Sequence, residues 1–307
     1  MTQTLPAISI ITPSFNRADM IAQAVESVLK QGDLPLEHII IDGGSTDGTL
    51  DLLEQFPHLR MVSEPDDGMY DALNKGLKLA HGEIIGFLNT DDLYPPSVFM
   101  EVLPLFTNPA VDAVAGRAVV FCTNENGEIE TLSEITPPMP ENLLERMVLG
   151  TPGFNAWFFR RSTIEKFGAF TAGFRLTGDR EFMIRLALAG IIYIRTDRII
   201  YQYRRHEGAL TFNWTSPFFL ENAQEHLKMT ASFLGQDGMP EKAKQYFQKL
   251  RTRDTTNVVL SLLRRGAFGK ALFFAREGLR SDWTWPLNFL SRAFQRLTHP
   301  PRKPPSA

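Results

Sequence analysis

The sequence predicts a mainly parallel α/β domain followed by a helical extension, and three observations carry that expectation. Short apolar, β-branched runs alternate with single amphipathic helices early in the chain, the pattern of right-handed βαβ crossovers in a parallel sheet. From about residue 217 the pattern turns helical throughout. The charge changes with it: residues 228–307 carry 15 Lys and Arg against 5 Asp and Glu, whereas residues 1–227 hold 17 against 30.

The run AISIIT (7–12) ends at Pro13, a buried-strand pattern. Residues 17–31 place Met20, Ile21, Ala24, Val25, Val28 and Leu29 on one helical face, closed by Gly32. HIIIDGGSTDGT (38–49) is a second strand entering a Gly-rich turn, with Thr46 and Asp47 as cap candidates for a helix at 48–55. RMVSEP (60–65) gives a third strand, MYDALNKGLKLAHG (69–82) a helix with a glycine stop, and EIIGFLN (83–89) a fourth strand. After Pro95-Pro96 a helix is expected over 97–106, then hairpin-like β structure in DAVAGRAVVF and ENGEIETL. Residues 151–170 hold NAWFFRRS and a short amphipathic helix; a firm helix follows at 180–189, then strand-like IIYI and RIIYQYRR within 191–205. Three parts result: a domain over 1–215, a basic helical extension over 216–298, and a disordered tail over 299–307.

Composition is that of a globular chain, with 307 residues, 43% hydrophobic and 22% charged. The single cysteine, Cys122, excludes an intramolecular disulfide framework and fits a reducing compartment. No N-terminal signal is visible, and no apolar stretch approaches the ~20 residues needed to span a bilayer. A cytoplasmic location is expected, with surface attachment left open: the basic helices suit an anionic partner surface. No nucleic-acid partner is expected.

In open α/β sheets, ligands bind beyond the carboxyl ends of the strands. Thr12, Pro13, Ser14, Asn16 and Arg17 follow the first strand and Asp42 the second; Asp66 follows the third, and Asn89, Thr90, Asp91 and Asp92 the fourth. That recurrence argues for one shared ligand site. Asp42 reads either as a turn residue bonding its own loop or as an acceptor for a base or ribose hydroxyl. For Asp91 and Asp92 the readings are a solvated turn, or a site for Mg²⁺ or Mn²⁺ completed by phosphate oxygens and water. No GxGxxG and no GxxxxGK[ST] follows the first strand, which disfavours dinucleotide and P-loop enzymes. In LTGDREFMIRLALAG (176–190), Asp179 can serve as a helix N-cap, as a general base, or as both. YQYRRHEGALT (201–211) places Arg204, Arg205 and His206 after a strand, either as an exposed basic turn or as groups for an ion and phosphate.

With these motifs in order, the chain resembles the inverting nucleotide-sugar glycosyltransferases of family 2, which have the GT-A fold. The likeness covers roughly residues 6–212 through ISIITPSFNR, IIIDGGSTDGT, SEPDDGMYDALNKGLKLAHGEIIGFLNTDD, GDREFMIRL and YRRHEGALT. The resemblance implies that Thr12, Ser14, Arg17, Asp42 and Asp66 surround the nucleoside and that Asn74 lies near the diphosphate. It implies a divalent cation on Asp91 with help from His206, Arg204 beside phosphate, and Asp179 as catalytic base. Asn89 departs from the Asp-x-Asp form usual at the metal motif; its amide can meet a ribose hydroxyl or reach the ion through water, but brings no charge. Asp92 is expected behind the ion or against the sugar. The implied reaction moves a sugar, UDP-linked by expectation, to a glycan or lipid-linked acceptor in surface polysaccharide assembly. A nucleotidyltransferase and a non-catalytic nucleotide-sugar binder are the competing readings. TPSFNR lacks the basic glycine-rich loop of the first, and an intact Asp179 argues against the second.

Overall fold

In the computed structural model, which describes residues 7–123, 128–206, 218–282, 285–287 and 289–290, the first apolar run forms strand β1, Ile8–Ser14. It pairs in parallel with β2 (Leu36–Asp42) on one side and β4 (Ile84–Phe87) on the other. β3 (Leu59–Ser63) pairs in parallel with β2. The crossovers are α1 (Ile21–Leu29), α2 (Thr49–Leu53) and α3 (Met69–Leu79). Ile8, Ile10, Ile11, Ile39, Ile40 and Ile41 are all fully buried. Continuous apolar runs are what a parallel strand covered on both faces requires.

Beyond β4 the sheet continues with antiparallel neighbours. β7 (Trp157–Arg160) lies between β4 and β5 (Ala113–Thr123), antiparallel to both. β5 also pairs antiparallel with β6 (Ile129–Ile135) and parallel with β8 (Tyr193–Arg204). The described residues thus form one eight-stranded sheet in the order β3-β2-β1-β4-β7-β5-β6, with β8 against β5. WFFR is a strand the local pattern did not announce. The two strand-like pieces within 191–205 are one strand, with register irregularities around Arg117 on its partner.

The helix expected over 97–106 is α4 (Val98–Val102) followed by a tighter 3₁₀ turn, Leu103–Phe106, in which Pro104 lacks an N–H for helical pairing. α5 (Leu143–Leu149), α6 (Arg161–Phe167) and α7 (Gly178–Leu188) follow. Five rings, Phe87, Phe154, Phe159, Phe170 and Phe182, pack with centroids 5.0–6.3 Å apart. This cluster joins β4 and β7 to α7, which carries Asp179.

The described chain divides into two units: the sheet with its helices through Leu143 plus Pro152–His206, and a helical unit containing Leu144–Thr151 and the C-terminal helices. The latter are α8 (Phe218–Leu234), α9 (Glu241–Arg264) and α10 (Phe268–Ser281). Within this unit Tyr246 donates to Glu145 Oε2 at 3.1 Å and Arg253 to the Leu149 carbonyl at 3.0 Å. His226 Nδ1 and Asp254 Oδ2 sit 2.8 Å apart between α8 and α9. The expected boundary at 215/216 and the tail at 299–307 lie outside the described residues.

Candidate active site

Parallel pairing sets the carboxyl ends of β1, β2 and β3 in register, with Ser14 beside Asp42 and Asp42 beside Ser63. Two of the loops that follow are knitted together. The Asn16 N–H donates to Ser45 Oγ at 2.7 Å, and Asn16 Oδ1 accepts from the Thr46 N–H at 2.9 Å. Arg17 N–H donates to Thr49 Oγ1 at 2.9 Å, and Ala18 N–H to Asp47 Oδ2 at 3.1 Å. Asn16 takes a left-handed conformation, φ 52°, which asparagine tolerates better than most residues.

Asp42 sits beneath these loops, fully buried. Its Oδ2 accepts from the N–H groups of Gly44 (3.0 Å) and Ser45 (2.8 Å) and from Ser63 Oγ (2.9 Å), and its Oδ1 from Ser45 Oγ (2.5 Å). Burial alone would raise its pKa; the bonds from Ser45, Ser63 and Gly44 outweigh it and leave the carboxyl below its usual range. The geometry is that of the turn-building alternative. Thr12, also fully buried, pairs its Oγ1 with His38 Nε2 at 2.9 Å. Pro13 is half-buried between Thr12 and Ser14, whose Oγ is buried without a partner among the described residues.

Asp66 Oδ1 accepts from the Gly68 N–H at 2.8 Å. A Cβ on Gly43 would come within 2.8 Å of Asp66 Oδ2 and 3.3 Å of the Phe15 ring, so glycine lets the second and third loops meet there. Phe15, for which the sequence reading had no role, is 58% exposed at this spot. An exposed aromatic ring beside a carboxylate suits a planar, hydrogen-bonding group.

At the end of β4 the carboxylates part ways. Asp92 turns inward and is 3% exposed. Its Oδ2 accepts from Tyr201 Oη (2.8 Å) and Asn89 Nδ2 (3.0 Å), and its Oδ1 from the Arg204 N–H (2.8 Å). Burial first, then the charge of Asp91, push its carboxyl up to about 8 against those three donors. Tyr201, fully buried, also accepts from the Asn89 N–H (3.2 Å) and from Asn155 Nδ2 (3.0 Å), while the Asn155 N–H donates to Tyr203 Oη (3.1 Å). Asn89 therefore acts as a donor to its neighbour's carboxylate, where a second carboxylate would be repelled. Thr90 is buried in the same turn. Asn89, Tyr201 and Asp92 together form an internal brace beside Asp91.

Asp91 faces the other way. Its Oδ2 lies 3.0 Å from His206 Nε2, and the two side chains are about one-fifth exposed, 20% and 18%. Arg204 places its guanidinium 5.0 Å over the Phe121 ring, donates through Nε to the Asp91 carbonyl (2.9 Å), and reaches Gln23 Oε1 (2.6 Å). It thereby fixes the backbone of Asp91. The structure thus brings Asn89, Asp91, Asp92, Arg204 and His206 together at the ends of β4 and β8.

Asn74 spends both ends of its amide on Phe170: Nδ2 donates to the carbonyl at 2.9 Å and Oδ1 accepts from the N–H at 3.0 Å. This clamps α3 to the segment leading into α7. Asp179 is the second residue of α7, and Thr177 holds the N-cap position. Asp179 Oδ1 accepts from Tyr70 Oη at 3.0 Å and from the Arg180 N–H at 2.7 Å. The Tyr70 ring rests on Phe170 (5.3 Å) and on Gly178, where a Cβ would approach it to 2.6 Å. Only glycine before Asp179 allows that contact. Tyr70, like Phe15, is a residue sequence reasoning missed; its place directly after Gly68-Met69, at the start of a helix below a strand end, was the available signal.

Residues 9–168, somewhat more than half of the chain, match the family described as Glycosyl transferase family 2. The chain belongs to that family. Among curated relatives, an uncharacterized glycosyltransferase of Mycobacterium tuberculosis is 33% identical over 191 residues, covering 60% of this chain and 70% of its own length. Among solved structures, S. aureus TarS 1-349 in complex with UDP-GlcNAc superposes with a TM-score of 0.63 at 15% identity, covering 92% of this chain and 91% of that one. The mannosyltransferase PcManGT from Pyrobaculum calidifontis, in complex with GDP-Man and Mn²⁺, gives 0.58 at 20% identity, covering 97% and 89%. Family 2 membership makes this chain a glycosyltransferase, and the neighbours share its GT-A architecture: a mainly parallel central sheet flanked by helices, with further helices at the C-terminal end.

A divalent cation can be weighed against the side chains present. Among the described residues no group of three or more His, Cys, Asp or Glu converges as a metal cage. Asp91 and His206 supply one carboxylate and one imidazole at one spot. That donor pair suits Mn²⁺ or Mg²⁺ shared with phosphate oxygens and water, the mode in which such ions use few protein ligands. The residues fit a substrate-shared ion.

Proposed function

We propose that this family 2 glycosyltransferase is an inverting, metal-dependent enzyme that uses a nucleotide-sugar, UDP-linked in our reading, and transfers the sugar to a hydroxyl of a glycan or lipid-linked acceptor. The pairing of Asp91 with His206 at the end of β4, in a fold whose α7 presents Asp179, carries the reading. The complexes of TarS with UDP-GlcNAc and of PcManGT with GDP-Man and Mn²⁺ support a nucleotide-sugar donor and a divalent ion.

In this reading Phe15 and Asp66 receive the nucleoside, with Thr12, Ser14, Arg17 and Asp42 supporting that pocket. Asp91 and His206 hold the ion, which when bound neutralises charge growing on the departing diphosphate. Asp179, fixed through Tyr70 Oη, takes the proton of the acceptor hydroxyl. The hydroxyl oxygen bonds to the anomeric carbon as the bond from that carbon to the diphosphate breaks, which inverts the configuration. Surface polysaccharide assembly, with the enzyme at the inner face of an anionic membrane, completes the reading; the basic balance of residues 228–307 supports it.

The test is turnover of a panel of nucleotide-sugars by the purified chain. We expect slow UDP-sugar hydrolysis in Mn²⁺ that is lost in Asp91→Ala. Asp179→Asn is expected to bind nucleoside diphosphate normally and to transfer no sugar. Metal-independent turnover would overturn the role of Asp91, and transfer by Asp179→Asn would overturn the base.

A further inference from the structure

Helix α10 carries apolar side chains well beyond the side that packs. Ala271, Phe274 and Ala275 join Val258, Val259 and Leu262 of α9 in one apolar cluster with Trp285 and Phe289. Around the helix from that side, Phe268, Leu272 and Phe273 are 67%, 54% and 61% exposed, and Leu279 is 50% exposed. Phe268, Leu272, Arg276 and Leu279 follow one stripe at helical spacing; Phe273 and Arg280 follow the next. Leu287 and Leu290, a little further along the chain, are 68% and 64% exposed. An amphipathic helix whose apolar side chains extend beyond its packed side, with a charged remainder, suits an interface with an apolar medium.

The charges set among these side chains are mostly positive. Arg276 and Arg280 are exposed on the same face, Lys270 flanks it, and Arg264 and Arg265 are exposed where α9 ends. The one acidic residue of α10, Glu277, is paired with Arg280 at 2.8 Å. Apolar side chains interleaved with arginines on an exposed helix match the boundary of an anionic bilayer, where apolar groups enter the acyl region and guanidinium groups meet headgroup phosphates. Among the described residues no helix is long and apolar enough to cross a membrane, so contact through α10 is of the surface-lying kind.

We infer that the exposed face of α10 docks the enzyme on an anionic lipid surface, with Phe268, Leu272, Phe273 and Leu279 entering the membrane boundary and Arg276 and Arg280 binding headgroup phosphates. This deepens the membrane part of the proposed function and is independent of the catalytic assignments.

The experiment is sedimentation of the full chain with two kinds of vesicle: phosphatidylcholine alone, and about three parts phosphatidylcholine to one part phosphatidylglycerol. Preferential binding to the anionic vesicles that weakens with salt is expected. With about 1 kcal/mol per basic residue near such a surface, Arg276→Glu with Arg280→Glu is expected to weaken binding at least tenfold. The triple variant Phe268→Ser, Leu272→Ser, Phe273→Ser is expected to abolish it. Since these side chains are exposed, both variants are expected to keep the wild-type melting temperature and UDP-sugar hydrolysis in solution. Failure of hydrolysis with vesicle binding intact would count against the catalytic reading alone. Equal binding of the wild type to both vesicles, or unchanged binding by the triple variant, overturns the inference. So does a dimer in light scattering that the triple variant dissociates, which would assign the face to a second copy.

Discussion

Lowering the pH from 7 to 5 is expected to destabilise the protein through one buried side chain, His38. The ring is 1% exposed on β2, its Nε2 meets Thr12 Oγ1, and its Nδ1 has no partner among the described residues. Burial, with a smaller contribution from His58, pulls its pKa from 6.5 down to about 3. The unfolded chain, with an ordinary histidine, therefore takes up a proton between these values while the folded chain does not. Stability is fully present above about pH 6.5 and is lost as the pH falls toward about 3. At pH 5 the unfolded state gains about 2 kcal/mol from this one proton, against about 0.2 kcal/mol at pH 7. Urea unfolding of the wild type and of His38→Gln at both pH values measures it. His58 is shifted in the same direction and stays in both proteins, so the difference between them isolates His38. The wild type should lose about 2 kcal/mol more than His38→Gln on acidification. Equal losses would refute the argument, because the proton would then be going elsewhere.

Three other outcomes follow from the site. Tyr70→Phe keeps the ring on Phe170 but removes the bond to Asp179; at about 0.5–1.5 kcal/mol for one hydrogen bond, turnover should fall roughly 3- to 10-fold with little change in KM, as steady-state kinetics would show. Asp92→Ala strands three donors, from Tyr201, Asn89 and Arg204, and should cost about 3–6 kcal/mol in chemical denaturation. Asn89→Asp removes the amide donor to Asp92 and sets another carboxyl beside one that burial already holds up at about 8, a loss of about 1–3 kcal/mol, so its melting temperature should drop in chelator and recover more than that of the wild type on adding Mn²⁺.

The parallel half of the sheet was legible because each strand is a continuous apolar run and each crossover a single amphipathic helix. Both are local patterns. WFFR was not legible as a strand: its four residues are all buried, which gives neither alternation nor helical spacing. The positions of the site residues were readable from strand ends, but their partners were not. Asn74 faces Phe170 across 96 residues of sequence, Asp179 faces Tyr70 across 109, and Asp92 faces Tyr201 across 109. Which polar residue at a strand end serves a ligand and which serves the fold depends on such distant partners. Thr12 illustrates this, since its hydroxyl is taken by His38. Asn89, the one departure from the usual metal motif, makes sense only once Asp92 is seen pointing inward.

The Asn74–Phe170 pairing gives the molecule a built-in reporter. The amide of Asn74 mimics one rung of a sheet ladder, so the Phe170 N–H is shielded only while α3 grips the segment that leads into α7. Its hydrogen-exchange rate therefore reads how often the Asp179 segment lets go, residue by residue and without substrate. Comparing that single amide with and without nucleoside diphosphate would tell whether donor binding tightens the part of the chain that must receive the acceptor.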